Sequence, residues 1–152
     1  MSGSGILVYR KDNNNDISFL VLKCIDNKNR LKDKCYDIPK GSIDPGENYF
    51  NAAVREMNEE VGLDINDIEF LRNKDNEVIN FMSPLSDGEN SLHIMIAKIK
   101  DESIKNITLD KNPYDEHESF EWKNFYTCEN VCLYFLKDIF SLGESLIKNH
   151  EH

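Results

Sequence analysis

The sequence predicts an α/β fold, and three observations carry that prediction. Apolar runs rich in branched and aromatic residues recur at Gly5–Arg10 (GILVYR), Ile17–Cys24 (ISFLVLKC) and Ser91–Ile99 (SLHIMIAKI), and they read as strands. Between them, Glu47–Val61 has a helical period. At about 100° per residue, Phe50, Ala53, Val54, Met57 and Val61 fall on one side. A second amphipathic stretch, Glu129–Asn149, closes the chain as a helix with Gly143 as a point of interruption.

The intervening segments follow from their composition. Lys11–Asp16 (KDNNND) has no apolar content and makes a turn, so the first two strands form a hairpin. Ile25–Lys34 is a polar loop, and Cys35–Pro39 is a brief extended run in which Pro39 favours an extended Ile38. Ile65–Leu71 and Glu77–Met82 read as strands, Pro84–Asn90 as a turn, and Asp101–Asp115 as a long acidic loop. Glu121–Phe125 is the final strand, with Trp122 in the core. His93 is read as satisfied in or beside the sheet. No repeat or linker divides the chain, so residues 1–152 are expected to form one domain with a substantial core.

Composition narrows the function classes. With 39% hydrophobic residues in regular runs, the chain is globular. No apolar run approaches the ~20 residues that span a bilayer, and MSGSGILVYR lacks the basic start and apolar core of a signal peptide. A cytoplasmic location and no membrane partner are therefore expected. Cys24, Cys35, Cys128 and Cys132 form no C-x-x-C pair and match no zinc spacing, so all four are read as reduced thiols. The net charge of −10 argues against a general nucleic-acid binder. One basic cluster, Lys23, Arg30, Lys32, Lys34 and Lys40, lies just before the first helix and is a candidate for steering phosphates.

That helix carries the chemistry. Glu59 and Glu60 lie within about a third of a turn of Glu56, and Glu56 and Glu60 are a like-charged i,i+4 pair. No lysine in the helix offsets them. A hard divalent cation with oxygen ligands resolves such repulsion, and Mg²⁺ is the usual one beside phosphates. Asp44-Pro45-Gly46 is a turn leading in, Gly41 permits close backbone approach, and Gly62 caps the end.

The stretch Gly41–Leu63 (GSIDPGENYFNAAVREMNEEVGL) resembles the Nudix box in full, at Gly41, Glu47, Arg55, Glu56, Met57, Glu59, Glu60, Gly62 and Leu63. A chance match is on the order of 10⁻⁸ per start position at average residue usage. The resemblance implies a mixed sheet between helices, an α/β/α sandwich with the box as a loop-helix-loop at its edge. It also implies Mg²⁺-dependent hydrolysis of a nucleoside diphosphate-linked substrate, with Mn²⁺ as substitute. Glu56, Glu59 and Glu60 would be metal ligands, the Lys40 backbone carbonyl a further one, and Arg55 would orient carboxylates by pairing with Glu47. The general base would be Glu56 or Glu116.

Two further patterns resemble the diadenosine polyphosphate hydrolase group. One is the Pro39-Lys40-Gly41 entry, shared with messenger-RNA decapping enzymes. The other is Glu116-His117, three residues, Glu121-Trp122. The second implies that Glu116 faces the metals, with Glu118 as competitor. Phe81 stands one position beyond the base-stacking tyrosine of those hydrolases, and Lys40 would lie near the phosphates. A dinucleoside polyphosphate such as diadenosine tetraphosphate is the favoured substrate. The alternatives are phosphate removal from the 5′ end of RNA and hydrolysis of diphosphoinositol polyphosphates. A Nudix-fold protein that binds a nucleotide without cleaving it usually lacks box carboxylates, and all are intact here.

Overall fold

The computed structural model describes residues 2–24, 36–84, 90–111, 117–132 and 136–151. Their strands form one mixed sheet: β1 (Gly3–Lys11), β2 (Ile17–Cys24), β3 (Tyr36–Asp37), β4 (Lys40–Ser42), β5 (Ile68–Phe70), β6 (Asn80–Pro84), β7 (Ser91–Ile99) and β8 (His117–Lys123). The order is β3-β2-β1-β7-β5, with β4 on β1, β6 on β7 and β8 on β2. The β1–β7 pair is parallel and the other strand pairs are antiparallel.

Side-chain alternation along the strands sorts the core into two layers. Ile6, Val8, Leu20, Leu22, Met95 and Ala97 pack under Ala53, Met57 and Val61 of helix α1 (Tyr49–Val61). Leu7, Tyr9, Phe19, Val21, Ile94 and Ile96 face the other way. They meet Cys128 of α2 (Phe125–Val131) and Ile139, Phe140 and Ile147 of α3 (Lys137–His150). Each fully buried Leu, Ile or Phe stabilises by about 1.5–3 kcal/mol, and the sheet is thereby held between helices on both faces. This is the α/β/α sandwich expected. No helix among the described residues is long and apolar enough to cross a membrane.

Several boundaries move for identifiable reasons. Helix α1 starts at Tyr49, because the Asn48 side chain accepts from the Asn51 amide and caps it, leaving Glu47 in the preceding loop. Ile65–Asp67 is a single 3₁₀ turn, since Asp64 and Asp67 each accept a backbone N–H from the other's end of the turn. Only Ile68–Phe70 is left as strand β5. Glu77 belongs to a turn, in which Asn73 Oδ1 accepts from the amides of Asp75 and Glu77, so β6 begins at Asn80. The acidic loop contains a 3₁₀ helix at Asp101–Asn106.

The last strand begins at His117, because β8 pairs with β2 from Cys24 back to Phe19. Trp122 sits within it, half-buried, with the Arg10 guanidinium 5.6 Å from its ring centroid. The closing helix is two helices, and Gly143 lies inside the second without interrupting it. A Cβ at Gly143 would stand 2.5 Å from Leu7 Cδ2, so the glycine serves close packing of α3 on β1. Cys24, Cys128 and Cys132 are buried, while Cys35 lies outside the described residues.

Candidate active site

The site begins where β4 is stitched to the start of β1 in the register Gly3↔Ser42, Ser4↔Gly41 and Gly5↔Lys40. Ser4 Oγ donates to the Tyr49 carbonyl at 2.5 Å, which ties the first turn of α1 to the same strand. The loop from β4 into α1 is thus anchored at both ends. Gly41 lies directly under the Glu56 carboxyl group, where an added Cβ would stand 2.1 Å from its Cδ. Only a residue without a side chain leaves Glu56 in that place.

Arg55 organises the exposed side of the cluster. Its Nε and Nη2 donate to the two Glu47 oxygens at 2.9 and 3.0 Å, a bidentate pair. Nη1 donates to Glu56 Oε1 at 2.9 Å and more weakly to Glu59 at 3.4 Å, and Nη2 reaches the Ser42 carbonyl at 2.9 Å. Asp44 Oδ2 lies 3.5 Å away. Hydrogen bonding from Arg55, with the Asp44 amide, holds the Glu47 carboxyl below its usual range. Hydrogen bonds to Glu47 first, and then to Glu56, outweigh desolvation and raise the pKa of Arg55.

Glu60 departs from the sequence picture of three carboxylates on one open strip. It is 4% exposed and turned toward the sheet. Its Oε1 accepts from the Lys40 amide at 3.1 Å, and Oε2 lies 3.4 Å from His117 Nδ1. Burial, aided by the charges of Asp37 and Glu56, pushes its pKa up to about 9 against the pull of the Lys40 amide and ammonium. The Lys40 ammonium turns inward to Asp37 Oδ2 at 3.1 Å. Burial alone would raise the Asp37 pKa, but Lys40, His117 and the Ile38 amide hold it below its usual value.

The structure therefore brings Glu56, Glu59, Glu60, Arg55 and Lys40 together. It does not bring Phe81 to them. Phe81 pairs with Ile94 across β6–β7 and is half-buried against the apolar layer facing α2 and α3, on the sheet face opposite α1. Glu116, Arg30, Lys32 and Lys34 lie outside the described residues. Of their neighbours, Glu118 and Lys23 form an ion pair at 3.0 Å with each other. His93 stacks on Tyr49, with ring centroids 4.5 Å apart.

Asp37, His117 and Cys24 were given no site role from the sequence: Cys24 and His117 lie far from the box in the chain, and Asp37, just before it, belongs to no motif. The β2–β8 register sets Cys24 opposite His117, and the β2–β3 register brings Asp37 alongside. Their ligand atoms lie within 4.8 Å of one another, a group that could hold a metal ion. The only sequence signal was the Glu116-His117 pair itself. A divalent cation also fits the glutamates: Glu56, Glu59 and Glu60 crowd one helix with a single guanidinium, that of Arg55, paired to the first two.

The model of the NUDIX domain matches residues 1–141. RNA pyrophosphohydrolase of Legionella pneumophila (strain Corby) is 26% identical over 114 residues, covering 69% of this chain and 64% of that protein. The asymmetrical bis(5'-nucleosyl)-tetraphosphatase of Mus musculus is 27% identical over 123 residues, covering 78% of this chain and 75% of that one. Among solved structures, a binary complex of the C. elegans Ap4A hydrolase superposes with a TM-score of 0.67 at 22% identity, covering 97% of this chain and 94% of that one. At that identity the likeness is one of fold, and it agrees with the sandwich described above. The match to most of the chain, together with an intact box around Arg55, shows that this chain belongs to the NUDIX domain family.

Proposed function

We propose that the chain is a divalent-metal-dependent pyrophosphohydrolase that cleaves a phosphate anhydride in a nucleoside diphosphate-linked substrate. The favoured substrate is a dinucleoside polyphosphate such as diadenosine tetraphosphate. The observation that carries this reading is that Arg55 holds Glu56 and Glu59 while Glu60, on the same helix, meets the β4 loop at the Lys40 amide. Mg²⁺ is the expected cation, held by those three glutamates with the Lys40 backbone carbonyl. When bound, it neutralises phosphate charge and makes a bound water more acidic.

The chain's own residues supply the rest. Arg55 fixes Glu56 and Glu59 relative to Glu47, so their oxygens face one place. In the reaction a water oxygen bonds to phosphorus, the bridging P–O bond breaks, and the water proton passes to Glu56 or Glu116. Lys40 approaches the phosphates by exchanging Asp37 for a phosphate oxygen.

The tetraphosphatase relative and the Glu116-His117 pattern support the dinucleotide. A second reading, 5′-end processing of RNA, is supported by the Legionella relative. A Mg²⁺-dependent product screen separates them. Diadenosine tetraphosphate, triphosphorylated RNA and a diphosphoinositol polyphosphate are incubated with the protein and the products resolved by chromatography. Mononucleotide release from the first at the highest kcat/KM is expected, and preferential turnover of RNA would replace it with the second reading.

A further inference from the structure

Behind the metal-facing glutamates lies a closed ring of four polar residues from four separate parts of the fold. Asp37 comes from β3, Lys40 from β4, Glu60 from α1 and His117 from β8. The contacts run from the Lys40 amide to Glu60 Oε1 at 3.1 Å and from Glu60 Oε2 to His117 Nδ1 at 3.4 Å. They continue from His117 Nε2 to Asp37 Oδ2 at 4.0 Å and back to the Lys40 ammonium at 3.1 Å. Asp37 Oδ1 also accepts from the Ile38 amide at 2.8 Å. Glu60, Asp37 and His117 are all more than nine-tenths buried.

Within this ring the His117 Nδ1 atom is buried and forms no hydrogen bond of normal geometry, yet it is aimed at Glu60 Oε2. A contact of 3.4 Å is long, and such contacts tighten when the reacting partners are in place. Each Glu60 oxygen therefore faces a nitrogen of the protein: a backbone amide on one side and an imidazole on the other. The plane of that carboxylate is set by these two groups. The Cys24–Asp37–His117 group offers a competing use of His117 as a ligand itself, but the Lys40 ammonium at 3.1 Å from Asp37 Oδ2 sets a positive charge against a cation there.

We propose that His117 is a positioning residue that orients the Glu60 carboxylate toward the divalent cation from behind, with Asp37 steadying the imidazole from its other side. This inference rests on the reading of Glu60 as a metal-holding group. Partners of metal-ligating side chains commonly set affinity by about 10- to 100-fold. A buried polar ring kept only for the fold would alter melting temperature and leave metal affinity unchanged.

The test is Mn²⁺ binding by calorimetry without substrate, on wild type and on His117→Ala, His117→Asn, His117→Gln and Glu60→Gln, with circular dichroism to verify folding. An asparagine amide can stand near Nδ1 and reach Glu60, whereas a glutamine amide stands nearer Nε2 and reaches Asp37. The expected result is a Kd for Mn²⁺ weakened about 10- to 100-fold in His117→Ala and His117→Gln, and largely restored in His117→Asn. Wild-type affinity in His117→Ala, with binding lost in Glu60→Gln, overturns the role of His117 and leaves Glu60 as a ligand. Wild-type affinity in Glu60→Gln overturns the reading of Glu60 and this inference with it. Should His117→Ala not fold, equal affinities in the Asn and Gln variants overturn the proposal.

Discussion

Arg55 grips Glu47 with two parallel hydrogen bonds, Nε to Oε2 at 2.9 Å and Nη2 to Oε1 at 3.0 Å, across seven intervening residues. The pairing clamps the loop before α1 to the second turn of the helix. It also leaves Nη1 to hold Glu56 at 2.9 Å. A lysine at this position could neutralise one carboxylate but could not form the fork.

Arg55→Lys is therefore expected to lower kcat/KM by about 100-fold, the order of loss that misplaced catalytic groups produce. Arg55→Ala should lose at least as much. Both variants should retain the far-ultraviolet circular dichroism of the wild type, because Arg55 is partly exposed and lies outside both apolar layers. A near-normal rate for the lysine variant would show that charge alone suffices.

Gly41→Ala tests the space beneath Glu56. The new Cβ would stand 2.1 Å from the carboxyl carbon, and the end of a flexible side chain moves away at little cost to the fold. Activity should fall by about 100-fold while melting temperature changes little. A large loss of melting temperature with normal activity per folded molecule would mean that the loop moves and Glu56 does not.

The buried carboxyl of Glu60 sets a pH dependence whose sign is fixed. Its pKa in the folded protein, about 9, lies above its ordinary value of 4.5. Between these values the folded state binds more protons than the unfolded chain, so the Glu60 contribution is present at low pH and lost as pH rises. Melting temperature in chelator should fall from pH 5 toward pH 9 more steeply in wild type than in Glu60→Gln. Added Mg²⁺ should stabilise the wild type more at the upper end, where the carboxyl loses its proton readily. Parallel profiles for the two proteins would contradict this placement of Glu60.

The helix and the long strands were legible because their periodicity is local: Ile17–Cys24 and Ser91–Ile99 are found with the boundaries read from the sequence. Short elements were not, because side chains such as Asn48, Asp64 and Asn73 compete for backbone amides at their edges. The box glutamates were legible from spacing. Their unequal burial was not, since Glu60 is covered by residues distant in sequence, His117 among them. Asp37 acquires its role only through the β2–β3 register, which no local pattern encodes.

Phe81 packs on the sheet face opposite the glutamates. Phe81→Ala should therefore lower kcat/KM about equally for diadenosine tetraphosphate and for a diphosphoinositol polyphosphate, which has no base. A loss of roughly ten- to hundredfold confined to the dinucleotide, the size that base stacking contributes, would contradict that placement.

The most direct test of the glutamate centre is turnover of diadenosine tetraphosphate by wild type, Glu59→Gln and Glu60→Gln, each with Mg²⁺ and with excess chelator. Glutamine keeps helix propensity and side-chain shape while removing the charge. If the cluster holds the cation, wild type turns over only with Mg²⁺, and both variants fall by orders of magnitude while remaining folded. Full turnover in excess chelator, or near-normal rates in both variants with Mg²⁺, would contradict it.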